Sequence, residues 1–155
     1  MFQSFRITGA SGILAMFFLT GFLSCKQGTD DYFQEIPASE SNISFSNQLQ
    51  LGGEVSVLEF EYMYNGAGVA VADFDLDGLQ DIYFTGNMVS NRLYRNLGDW
   101  KFEDLTEQAG VGSSGWSNGV AVVDINQDGY PDIYVCRGGP RNTRGRDRAN
   151  LLFLN

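Results

Sequence analysis

The chain has 155 residues, 43% of them apolar and 14% aromatic, which suits one ordinary packed domain and argues against disorder. Its net charge of −9 sets it against phosphate backbones and anionic membrane surfaces, and favours cations instead. With no histidine and only two cysteines, Cys25 and Cys136, it holds no Ser-His-Asp or Cys-His catalytic set and no disulfide framework.

Residues 1–24 read as a secretory signal. Arg6 is their one charged residue, and the apolar run Ile13–Leu23 has the length of a signal core, too short to cross a bilayer as a helix. The ending Phe22-Leu23-Ser24-Cys25 resembles the lipobox of bacterial lipoproteins. That resemblance implies cleavage before Cys25, lipid attachment to its thiol, and anchoring at the bacterial outer membrane or cell surface. An ordinary secretory signal with an incidental cysteine is the alternative. Residues 25–41 are mostly polar and aperiodic, and are expected to form a tether. Cys136 follows the apolar stretch Ile133-Tyr134-Val135 and is expected to be a buried, inert thiol.

Further on, Ile43-Ser44-Phe45 and Val55–Tyr64 carry strand-like patterns, the second with a phase slip near Leu58. From residue 66 the chain repeats itself. Gly68–Tyr83 aligns without gaps on Gly119–Tyr134, an offset of 51, and Asn91–Asn96 aligns on Asn150–Asn155, an offset of 59. The second copy therefore carries an 8-residue insertion. Each copy reads as short strands joined by turns: Gly68–Ala72, Ile82–Thr85, Arg92–Arg95 and Lys101–Phe102 in the first, with one helical turn within Glu103–Ala109. Nineteen glycines against three prolines suit such a chain of tight turns. Four short strands per ~50 residues is the period of a propeller blade.

The motif Asp-x-Asp-x-Asp-Gly-x-x-Asp, with Gly-Val-Ala before it and Ile-Tyr after it, resembles the FG-GAP (VCBS-type) repeats of integrin-α-like β-propellers. The stretches Phe102–Val111 and Trp116–Val120 resemble the CRTAC/ASPIC-UnbV branch of that family. The resemblance covers residues 42–155, with one repeat at about 66–117 and a second at about 118–155. It implies an all-β fold of propeller blades with calcium-binding loops between strands. Propellers of this kind have about seven blades, so the chain is expected to be an incomplete propeller.

Seven of the nineteen acidic residues fall in two nine-residue loops, Asp73–Asp81 and Asp124–Asp132. Hard divalent cations take six to eight oxygen ligands, and alternate acidic positions can wrap one. The first loop offers Asp73, Asp75, Asp77, the Leu79 carbonyl and Asp81. The second offers Asp124, Asn126, Asp128, the Tyr130 carbonyl and Asp132. Gly78 and Gly129 permit the sharp turn. An EF-hand would need glutamate at its twelfth position, where Phe84 and Val135 stand. Two acidic turns without metal would leave carboxylates repelling one another with no basic residue inside either loop. Magnesium prefers a tighter octahedron, so two Ca²⁺ sites are expected. At the roughly 10⁻⁴–10⁻³ M affinity of extracellular modules and about 2 mM calcium, each would stabilise the fold by ~0.6–1.8 kcal/mol.

Arg137, Arg141, Arg144, Arg146 and Arg148 hold half of the ten basic residues and fall around the insertion. They form either a solvated loop or a contact for an anionic ligand such as an acidic glycan or nucleic acid. Trp100 and Trp116 are either turn or core aromatics, or sugar-stacking platforms. The expected function is non-catalytic: a calcium-binding surface segment for adhesion, holding a protein or glycan ligand, with the membrane reached only through the lipid anchor. A scaffold within a larger enzyme is the alternative.

Overall fold

The computed structural model describes residues 32–50, 56–140 and 148–155. The chain divides into two units, residues 1–35 and 36–155, and every described element belongs to the second. The signal and Cys25 lie outside the described residues. Among the described residues no helix is long and apolar enough to cross a membrane.

The described residues of the second unit are all-β apart from two single-turn α-helices, α1 (Ala38–Ser41) and α2 (Thr106–Ala109). Four strands form an antiparallel sheet in sequential order: β1 (Val69–Ala72), β2 (Asp81–Phe84), β3 (Arg92–Asn96) and β4 (Phe102–Asp104). Three more form a second antiparallel sheet: β5 (Ser117–Val123), β6 (Asp132–Arg137) and β7 (Leu151–Phe153). These are blade-like meanders that do not close into a barrel, as the repeat pattern predicts.

Side chains alternate across a strand, so each sheet has two faces. Ala70 pairs with Tyr83 and Tyr83 with Leu93, which places all three on one face of the first sheet. Val120 pairs with Val135, Val122 with Ile133, Ile133 with Phe153 and Val135 with Leu151, which builds one face of the second. These two faces meet in a single core that also takes in Phe74, Val111 and Leu105. Burying a large apolar side chain of this kind contributes about 1.5–3 kcal/mol. The two faces are not equivalent under the repeat. The buried face of the first sheet corresponds to the outer face of the second (Ala121, Tyr134, Leu152), so the sheets stack head to tail.

Close approach is possible because Gly68 has no side chain. A Cβ there would lie 2.8 Å from Gly119 Cα and 2.9 Å from Val120 N. Its repeat mate Gly119 has nothing within 4 Å of its own Cβ position.

Two asparagine clamps hold the hairpins, Asn91 fully buried and Asn150 exposed. Asn91 accepts from Gly86 N at 2.9 Å and donates to Tyr83 Oη at 3.1 Å. Asn150 accepts from Arg137 N at 2.9 Å and donates to Tyr134 Oη at 2.7 Å. Tyr83 Oη in turn donates to Val111 O at 2.7 Å, and burial pushes its pKa up to about 12 despite the Asn91 hydrogen bond.

Three expectations fail. The described part of Val55–Tyr64 is a series of turns, with Glu59 N and Phe60 N bonded to Ser56 O, and Met63 N to Phe60 O. The phase slip near Leu58 puts apolar residues on both faces, and only Met63 is fully buried. Ile43–Phe45 pairs with no strand, although Phe45 stacks on Phe84 with centroids 4.9 Å apart and covers the outer face of the first sheet. Cys136 is exposed. It stands on the outer face of the second sheet, while its repeat mate Thr85 is fully buried.

Candidate metal centre

Both acidic loops connect the first two strands of their sheets and fold by the same rules. In the first, Asp73 Oδ1 and Oδ2 accept from Asp77 N at 3.0 Å and Gly78 N at 2.9 Å. Asp77 Oδ1 accepts from Leu79 N at 2.8 Å. In the second, Asp124 accepts from Asp128 N at 3.1 Å and Gly129 N at 2.9 Å, and Asp128 from Tyr130 N at 2.9 Å. Short carboxylate side chains bonding their own backbone two to five residues on are what turn these segments inward. Left-handed residues recur at the same places: Leu76 and Gly78 at φ 59° and 90°, Gln127 and Gly129 at 62° and 93°.

The last aspartate of each loop is a double acceptor. Asp81 takes Phe74 N at 3.1 Å and Asn96 N at 2.8 Å, and Asp132 takes Ile125 N and Asn155 N, each at 2.9 Å. Each carboxylate closes its own loop and fastens it to the end of the third strand. Each oxygen keeps a further lone pair for a cation. Burial raises the Asp81 pKa, with Asp75 and Asp77 adding to it and the Asn96 and Phe74 N–H groups opposing. A cation beside this carboxylate would favour its charged form and so oppose both raising causes.

Oxygens of Asp73, Asp75 and Asp81 lie within 4.8 Å of one another, the group among the described residues suited to hold a metal. All donors are hard oxygens, which fits calcium and gives no site for a soft metal. Among the side-chain oxygen donors, the second loop differs at one place. Asn126 replaces Asp75 in the repeat, and its Nδ2 donates to Asp128 Oδ2 at 2.7 Å. Leu79 and Tyr130 sit at the seventh position of each loop and are exposed.

Asn96 and Asn155 align in the repeat, and that equivalence is the one sequence signal for their part in the loops. Asn96 Nδ2 donates to Gln80 O at 3.0 Å. Asn155 Nδ2 donates to Phe74 O at 2.6 Å, tying the end of the second sheet to the first acidic loop.

The arginine stretch is only partly described. Arg137 Nη2 donates to Ser114 O at 2.7 Å, and its guanidinium covers Gly115, where a Cβ would collide with it. Arg148 is exposed, and Arg141, Arg144 and Arg146 lie outside the described residues. Trp116 is 6% exposed and meets Phe60 edge-on at 5.0 Å, so it is a core aromatic; Trp100 is 70% exposed in the β3–β4 turn.

A family model described as the FG-GAP-like repeat matches residues 73–135, from the first loop aspartate to the middle of β6. Cartilage acidic protein 1 of Xenopus tropicalis is 30% identical over 122 residues, 74% of this chain and 19% of that protein. The chain thus spans about a fifth of the length of this curated relative. No solved structure matches the chain. Repeated acidic loops between strands, head-to-tail sheets and the matched family model agree that residues 73–135 carry an FG-GAP-like repeat.

Proposed function

We propose that residues 42–155 form a non-catalytic pair of calcium-stapled propeller repeats in a secreted, lipid-anchored surface protein, which uses them to hold a protein or glycan ligand. The observation that carries the calcium reading is the duplicated loop. Two segments 51 residues apart build the same inward-turned carboxylate network, and one gathers three carboxylates within 4.8 Å. Asp73, Asp75, Asp77, Asp81 and the Leu79 carbonyl would hold one ion, and Asp124, Asn126, Asp128, Asp132 and the Tyr130 carbonyl the other. Bound calcium supplies compensating charge. The chain's own part is to hold the strand connections open at fixed geometry, so that neighbouring loops are presented rigidly. Anchoring at a cell surface through Cys25 is supported by the lipobox resemblance, and ligand holding by the repeat family together with the lack of histidine-based catalytic sets.

The test is calorimetric titration of the chain with calcium, beside a variant carrying Asp75→Ala and Asp128→Ala. Two sites in the parent, lost in the variant and accompanied by a rise in melting temperature, are expected. A folded parent that takes up no calcium would remove this reading.

A further inference from the structure

We infer that the exposed Trp100 and the cleft beside it form a binding subsite for a neutral pyranose unit of a glycan. This deepens the ligand-holding role proposed above and rests on it for its biological sense.

The argument starts with the turn. Lys101 N donates to Gly98 O at 3.0 Å, and the two residues between them, Asp99 and Trp100, have φ of 49° and 60°. Positive φ at both central positions is the pattern of a type I′ turn, which takes Asn or Asp readily at the first and favours Gly at the second. Tryptophan occupies the glycine place. A bulky residue is strained in the left-handed region, and here burial does not repay the strain, since the side chain is 70% exposed. Strain without packing gain points to a use outside the fold.

The surroundings say what kind of use. One side of Trp100 borders an open cleft of about 400 Å³ between the β3–β4 turn and α1, with Ser39, Glu40, Asn42, Asp99 and Lys101 along it. An indole face offers an apolar platform of the size of a sugar ring. The ring of polar groups supplies acceptors and donors for hydroxyls, the combination small-ligand sites use to fix orientation. Glu40 and Asp99 outnumber Lys101, so sulfated and uronic sugars are disfavoured and uncharged hexoses favoured. Trp116, buried in the core, cannot serve this role.

The experiment uses the calcium-loaded full chain and follows tryptophan emission during titration with cellohexaose, xylohexaose, mannohexaose and a desialylated N-glycan. Free polysaccharide fragments and protein-borne glycans are thereby separate arms. The expected result is saturable change in emission, and protection of Trp100 from acrylamide, with at least one probe. Trp100→Gly, which lacks the emitting side chain and is therefore read by calorimetry beside the parent, should weaken that binding about tenfold or more while its melting temperature stays level or rises, because glycine suits the turn. Three results would each overturn the inference: no response to any probe at millimolar concentration, undiminished binding by Trp100→Gly, or a variant that melts lower or fails to fold, which would make Trp100 a packing residue. The calcium shift in melting temperature is read on the same sample. A shift without a saccharide response removes only this inference, and a response without a shift removes only the calcium reading.

Discussion

The two sheets carry similar residues at equivalent places and bury them to very different extents. Leu93 is 7% exposed and its repeat mate Leu152 is 43% exposed; Tyr83 is fully buried and Tyr134 only partly; Thr85 is buried and Cys136 is not. The difference comes from what lies beyond each face. The first sheet has the second on one side and Phe45 on the other, whereas Leu152, Leu154 and Val123 remain exposed on the outer face of the second. A strand pattern specifies which residues share a face, and the neighbour decides whether that face is core.

The largest expected consequence is at the leucine pair. Leu93→Ala should cost about 2–4 kcal/mol by urea denaturation, and Leu152→Ala less than about 1 kcal/mol. Equal costs would mean that the two faces are covered alike in solution. Next comes the glycine pair. Gly68→Ala must push backbone aside at 2.8 Å and should cost about 1–3 kcal/mol, while Gly119→Ala meets nothing and should be near neutral. A neutral Gly68→Ala would contradict the close approach of β1 to β5.

The acidic loops sharpen the comparison further. Asn126→Asp would give the second loop the carboxylate of the first and remove an amide donor to Asp128. Its calcium affinity should rise about tenfold by calorimetry, with charge count setting the gain, and the metal-free variant should melt lower than the parent. An unchanged affinity would show that charge at position 126 is immaterial. The smallest effect belongs to the β3–β4 hairpin of the first sheet. Burial alone would raise the Asp104 pKa, but hydrogen bonds from Thr106 and the Arg92 guanidinium at 3.0 Å outweigh it and hold the carboxyl below its ordinary 3.8. A depressed carboxylate stabilises above its unfolded pKa and loses that contribution as pH falls through the folded one. The stability difference between parent and Asp104→Asn should therefore be constant near neutrality and shrink below about pH 4. A difference independent of pH down to full protonation would remove the ionic part of this account.

Much of this was legible in the chain. The alignment of Gly68–Tyr83 on Gly119–Tyr134 located the strands and both loops to within a residue or two, because alternate aspartates and a left-handed glycine leave the backbone few options. Val55–Tyr64 misled because the phase slip near Leu58 breaks the alternation, and the described part folds into turns instead. Cys136 misled because it follows the core residue Val135 but faces the other side of the sheet, opposite Gly119, which has no side chain to cover it. The second duty of Asp81 and Asp132, as acceptors for Asn96 and Asn155, depends on bringing together residues 15 and 23 positions apart, and only the fold does that.

The asparagine clamp has a consequence for variation. Asn91 reaches back five residues to Gly86, and Asn150 reaches back thirteen to Arg137, yet both make the same bond. Lengthening the span from five to thirteen costs about 0.8 kcal/mol of closure entropy, comparable to the roughly 0.5–1.5 kcal/mol that an amide hydrogen bond contributes. The clamp thus works as a buckle: whatever length of strap passes through it, the two ends are returned to the same place. New sequence can enter between those ends without disturbing the sheet, so this hairpin is where such proteins can acquire new surfaces, and where a foreign peptide could be spliced in for display.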